Sequence, residues 1–241
     1  MLDNYYTAVY WGCRVESAEE CARRAETFFH LLSRCDPLYT RWFEKADSRK
    51  KALQLQFEPT AETFVRFFKK RSYQLGKVGF IFGAWTGHPE HARGGAVRFK
   101  CGYDAVGALN SCLLYLPKEE PGTERVLTVP VLAEVLRAMV LAWEPDWGGV
   151  FSDAYQELRD EPVGPPRTGW LMYFSHRWGE VPAFPEPVRT APVEDKGTLI
   201  ILTSERFNGH EPAHIALADS ARTLLHQAGL VKESTAFPSS T

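Results

Sequence analysis

Apolar and polar residues alternate along this chain with two periods, and the places where the period changes mark its elements. The segment YYTAVYW (5–11) is aromatic and β-branched and reads as a strand ending at Gly12. Ser17, with Glu20 three residues on, carries the signature of a capping box. Cys21, Ala25, Phe28, Phe29 and Leu32 then recur at helical spacing. Glu19 with Arg23 and Glu20 with Arg24 stand i to i+4 on the polar side in the favourable order. This helix is expected to stop before Asp36-Pro37. A second is expected from Thr60, with Ala61, Phe64, Val65 and Phe68 turned inward.

In the middle of the chain the period shortens. KVGFIFGAW, GGAVRFKCGY and NSCLLYLP are three strand candidates at hairpin-like distances, most economically joined as an antiparallel meander. TVPVLAEVLRAMVLAW is apolar almost all round and reads as a buried helix behind Thr128. GGVFSD reads as a short strand, with Ser152 capping a short helix through DAYQELRD. TGWLMYFSHRW, EPVRTAPV and GTLIILTS are further strand candidates, and a closing helix is expected from about Pro212 to Gly229. The tail KESTAFPSST is polar and expected to fray. The expected class is α+β: mainly antiparallel sheet with about four to five flanking helices, in a single domain over 1–241. A weak boundary signal falls at PKEEPGTER (117–125).

Composition narrows the function. With 44% apolar and 24% charged residues, disorder is not expected, and a net charge of -2 gives no reason to expect a nucleic-acid partner. The five cysteines are odd in number and lack C-x-x-C spacing, which suggests buried thiols in a reducing, cytoplasmic setting. The opening MLDNYYTAVYW lacks the basic start and long apolar run of a signal peptide, and no stretch is apolar enough to span a bilayer, so no membrane association is expected.

One motif bears on catalysis. HEPAH (210–214) matches H-E-x-x-H, in which two histidines one turn apart hold zinc and the glutamate activates its water. Pro212 suits the first turn of a helix and disrupts an interior, so the helix is expected to begin after His210 and separate it from His214. A third ligand would have to come from Asp219, His226 or Glu233, with no recognisable zincin setting. His88 and His91 lie in a Gly-rich loop, and Ser175 and His176 would point to opposite faces of a strand. Neither G-x-S-x-G nor a phosphate-binding glycine loop is present. The sequence therefore implies neither an enzyme nor a metal nor a cofactor. A metal-dependent hydrolase built on His210, Glu211 and His214 is the alternative.

What stands out instead is a run of tryptophans beside carboxylates. AWEPDWGGVFSDAYQELRDE holds Trp143, Glu144, Asp146, Trp147, Asp153, Glu157, Asp160 and Glu161, and a second aromatic cluster is GWLMYFSHRWGEVP. One reading puts the tryptophans in the core and the acids in solvent. The other makes the run a binding face, aromatic anchors flanked by acids that match a basic partner.

The opening block YYTAVYWGCRVESAEECARRAETFFHLLSRCDPLYTRWFEKADSRKKAL, with VGFIFGAWTG, WEPDWGGVFSD and GWLMYFSHRWGEVP, resembles the immunity protein 52 family of bacterial polymorphic toxin systems. The resemblance implies a cytoplasmic antitoxin that neutralises a cognate nuclease toxin with a restriction-endonuclease-like domain, including type VI secretion effectors, and protects the producing cell and its kin. Its motifs are aromatic and structural and assign no inhibitory residue. The modest net charge differs from strongly acidic nuclease inhibitors and argues against a purely electrostatic mechanism. Homodimerisation of the free protein stays open.

Overall fold

Strand β1 (Tyr5–Trp11) lies in the middle of the sheet, although it comes first in the chain. A computed structural model gives this fold and describes residues 3–76, 78–105, 109–159 and 166–231. On one side of β1 pair β6 (Asn110–Tyr115), β5 (Ala96–Cys101), β4 (Phe80–Trp85), β2 (Trp42–Glu44) and β3 (Gln56–Phe57). On the other pair β7 (Trp147–Ser152), β8 (Leu171–Ser175), β10 (Gly197–Ile201) and β9 (Arg189–Val193). All the pairings in this ten-stranded sheet are antiparallel. The expected β4–β5–β6 meander is present, and the class is α+β.

Three helices cover one face of the sheet. Helix α1 (Ala18–Leu32) starts at the expected capping box: Ser17 Oγ accepts from the Glu20 N–H at 3.1 Å, and the Ser17 N–H donates to Glu20 Oε2 at 2.7 Å. All five residues of its expected stripe are buried. Helix α3 (Ala61–Phe68) is capped by Thr60 and buries Phe64, Phe67 and Phe68, while Ala61 and Val65 are half-buried at the margin of the core. Helix α5 (Val129–Trp143) follows Thr128, whose side chain makes no cap bond. The facing strands supply aromatic rings: Phe64 meets Phe82 at 5.4 Å and Phe99 at 6.2 Å, and Trp143 stacks on Trp11 at 5.4 Å. Such pairs prefer offset or edge-on contact, and a large buried area comes with each ring.

The described residues hold seven α-helices, more than the four to five expected. The excess is α2 (Arg49–Ala52) and α4 (Gly122–Val126), of four and five residues, too short to show a helical period in sequence. Helix α6 (Asp153–Arg159) and helix α7 (Pro212–Gln227) complete the set, and no described helix is long and apolar enough to cross a membrane. Cys21, Cys101 and Cys112 are buried thiols, whereas Cys13 is exposed and Cys35 half-buried. The polar tail lies outside the described residues.

The two halves of the sheet are covered differently. Every residue of β7 and β8 is buried, so both of their faces are packed. In β4, β5 and β6 burial alternates, because α1, α3 and α5 take one face and leave the other to solvent. Buried Arg167 stands over Phe151 at 5.1 Å and Tyr6 at 5.9 Å, where the covered half of that second face meets the open half.

Candidate partner-binding surfaces

The run from Trp143 to Glu161 is contiguous in sequence but not in space. Trp143 is the last residue of α5 and is fully buried, packed on Trp11, on Phe99 at 4.9 Å and on Phe28 at 6.1 Å. Trp147 opens β7, buried and stacked on Tyr10 at 4.4 Å. Neither ring can anchor a partner, which corrects the expectation that both belong to a binding face. Alternation along β7 and the last turn of α5 point them into opposite layers of the core. Trp170 of the second aromatic cluster is buried too, while Trp178 is partly exposed and donates to the Leu230 carbonyl at 3.1 Å.

Glu144 and Asp146 belong to a charge network around the end of α5. Glu144 terminates the helix in the left-handed conformation (φ 46). Three arginines then satisfy the carbonyls the helix leaves over: Arg24 donates to Ala142 O at 3.0 Å, Arg14 to Trp143 O at 2.8 Å and Arg177 to Glu144 O at 3.1 Å. Cations are favoured there, where carbonyls are unpaired and the helix dipole is negative. The Glu144 carboxylate pairs with Lys196 at 3.0 Å and Arg24 at 3.1 Å, and Arg24 also meets Glu16 at 2.5 Å. The Lys196 hydrogen bond, helped by Arg24, holds the Glu144 carboxyl below its ordinary value against partial burial. Asp146 accepts from the Gly12 N–H at 2.9 Å and pairs with Arg177 at 3.4 Å. Both acids are thus engaged within the fold.

Strand β7 then carries the chain about 20 Å away, at 3.2–3.4 Å per residue, to Asp153 and Glu157 at its far end. There Ser152 Oγ accepts from the Tyr155 N–H at 3.1 Å, the expected cap of α6. Buried Asp3 holds the same corner, accepting from Ser152 Oγ at 2.6 Å, from the Ala154 N–H at 3.2 Å and from the Gly209 N–H at 2.8 Å. Asp153 is half-buried and Glu157 exposed. Burial pushes the Asp153 carboxyl up, with Lys118 opposing. Asp160 and Glu161 lie outside the described residues. The expected acidic face is therefore divided between the two ends of one strand.

The HEPAH motif resolves as its proline suggests. Helix α7 begins at Pro212, with His210 in the preceding turn and Glu211 at the cap position. His214 Nδ1 accepts from the Asn208 N–H at 2.9 Å, and its ring stacks on Phe207 at 5.4 Å. That bond occupies the Nδ1 lone pair and ties His214 to the loop that delivers Gly209 to Asp3. Among the described residues no three His, Cys, Asp or Glu side chains are grouped to hold a metal.

A different surface emerges on the open face of the sheet, one the sequence reading did not single out. Three rungs cross its strands: Ile81, Lys100 and Ser111; Gly83, Arg98 and Leu113; Trp85, Ala96 and Tyr115. Trp85 is half-buried, Arg98 exposed and Tyr115 43% exposed, so aromatic and cationic groups share this face. Beside the third rung a groove of about 610 Å³ is walled by Lys45, Arg49 and Ala52 from the α2 region and by Lys118 after β6. Among the described residues, none of Lys45, Arg49, Arg98, Lys100 and Lys118 makes an ion pair. Lys100 lies over Tyr103 at 4.9 Å, and desolvation, with Arg98 adding repulsion, pulls its ammonium below the ordinary value. The signal was present in AVRFKC, where Ala96, Arg98 and Lys100 form the other face of an alternation whose apolar half is Val97, Phe99 and Cys101.

The immunity protein 52 family model matches residues 3–234, and the chain belongs to that family. Among solved structures, the Pseudomonas aeruginosa T6SS protein PA0821 shares the fold, with a TM-score of 0.57 and 11% identity over 92% of this chain and 76% of that one. No curated protein matches the chain in sequence.

Proposed function

We propose that this chain is a cytoplasmic antitoxin that forms a tight, non-catalytic complex with a cognate secreted nuclease toxin and so protects the producing cell and its kin. The supporting observation is the family match across residues 3–234, a family of immunity proteins. The fold shared with a protein named for type VI secretion agrees with that setting. The restriction-endonuclease-like character of the toxin rests on the sequence resemblance. Of the acids first assigned to the contact, Asp153 and Glu157 remain as contributors from the far end of β7, with Asp160 and Glu161 following them in sequence. A nuclease must attract phosphate, so lysines and arginines around its cleft give such acids a counterpart.

The test is direct. A nuclease-toxin domain sought among the genes beside this one is mixed with the chain, and complex formation and DNA cleavage are followed together. A stoichiometric complex with a Kd well below micromolar and loss of cleavage is expected. No complex at micromolar concentration, with both partners folded, refutes the proposal.

A further inference from the structure

The acids of the sequence-derived face are divided between distant sites and partly engaged, whereas the open face of the sheet carries cations that form no ion pair with a described carboxylate. We propose that the groove lined by Trp85, Tyr115, Lys45, Arg49, Arg98 and Lys118 is the docking site for an acidic segment of the toxin, with Trp85 and Tyr115 packing its apolar side chains. This rests on the immunity reading and assigns the surface that carries it out.

Three observations support the proposal. The first is charge. The whole chain has a net charge of -2, yet these four cations line one concave surface and none is paired with a described carboxylate. Such clustering repels itself and leaves an attraction for an anionic occupant that a balanced surface would lack. The second is chemistry and size. Tryptophan, tyrosine and arginine are the side chains that most often carry interface energy. The groove of about 610 Å³ matches the roughly 300–1,000 Å³ of small-molecule pockets, room for a few side chains of an inserted segment. The third is the margin. Asp153 lies near enough to Lys118, at the end of the groove, to feel its charge, and Glu157 adds a second carboxylate beside Asp153. A nucleic-acid backbone would be repelled by that acidic edge, whereas a polypeptide can set a lysine or arginine against it while placing its own acids in the groove.

The experiment compares full-length proteins carrying Arg98→Glu with Lys118→Glu, or Arg23→Glu with Arg189→Glu, exposed positions away from the groove that change net charge equally. Melting temperatures verify folding, and Arg98→Ala with Lys118→Ala repeats the test without introducing acids. The probe is the nuclease-toxin domain used in the test of the antitoxin reading, with kinetics measured at low and high salt. The groove reversal is expected to weaken binding about a hundredfold, with a slower on-rate that responds less to salt, and the control pair less than about threefold. Arg98→Lys should retain binding. If both pairs bind like wild type, the groove is not the docking site, while complex formation still upholds the antitoxin reading. If wild type itself forms no complex, both fall. Groove-dependent binding of a labelled single-stranded DNA, or of a second copy of this chain, with toxin affinity unchanged, also overturns the proposal.

Discussion

Replacing Trp143 with alanine separates a core residue from a contact residue. The indole is fully buried between Trp11, Phe28 and Phe99, with ring centroids at 5.4, 6.1 and 4.9 Å. Truncating a buried Trp or Phe to Ala costs about 3–5 kcal/mol through lost transfer energy and the residual cavity. Three aromatic partners lose their contacts at once, and pairs of this kind contribute about 0.5–1.5 kcal/mol beyond area burial, so the upper end of that range applies. For a chain of 241 residues, each kcal/mol moves the melting temperature by about 2–4 °C, which gives a drop of about 10–20 °C. Thermal melts followed by far-ultraviolet circular dichroism, with urea titration of the same samples, measure it. Trp143→Phe keeps a ring in the slot and should lose less. A Trp143→Ala protein that melts within about 2 °C of wild type yet no longer binds the toxin would return this tryptophan to the surface and refute the packing argument.

Other outcomes follow from the same contacts. Phe29→Ala removes a buried ring from Trp42, Phe57 and Phe64 and should cost about 3–5 kcal/mol; unchanged stability with lost toxin binding would reverse its assignment to the core. Gly209→Ala would set a methyl carbon 2.6 Å from the Tyr155 backbone nitrogen, and should destabilise by about 1–3 kcal/mol and speed amide exchange in α6; protection equal to wild type would show that the corner has slack. Glu144→Gln tests the network at the end of α5. Its folded carboxyl titrates below the unfolded one, so its stabilisation is present above about pH 4.3 and lost as pH falls through the folded value. The gap between wild type and variant, roughly 0.2–1 kcal/mol at neutral pH for a partly exposed pair, should therefore close in acid. A gap that widens as pH falls would show the sign to be wrong.

Local signals in the sequence were easy to read, and long-range ones were not. The Ser17–Glu20 capping box, the Thr60 and Ser152 caps and the start of α7 at Pro212 depend on residues within four positions of one another, and each is found where expected. The meander β4–β5–β6 was legible for the same reason, since short connections leave little choice of partner. The acidic stretch misled because β7 hides within it: WGGVFS is buried on both faces, and a strand separates its two ends by its full length. Nothing near Glu144 in sequence indicates that Arg14, Arg24, Lys196 and Arg177 converge on that helix end. Likewise, Lys45 and Arg49 meet Arg98 and Lys118 only through the order of strands.

That order has a kinetic consequence. The strand that divides the sheet, β1, is the first to leave the ribosome, while its neighbours β6 and β7 end at residues 115 and 152. Until β6 has been synthesised, seven residues that include three tyrosines and a tryptophan have neither lateral partner, one edge stays open until β7 follows, and the unpaired amides and carbonyls are a template for other chains. Pairings that span a hundred residues or more also slow folding through the entropy of loop closure. If the chain acts as the proposed antitoxin, protection would depend on molecules completed before the toxin arrives, and a cell drawing on newly made chains would meet a lag set by this connectivity rather than by the strength of the complex.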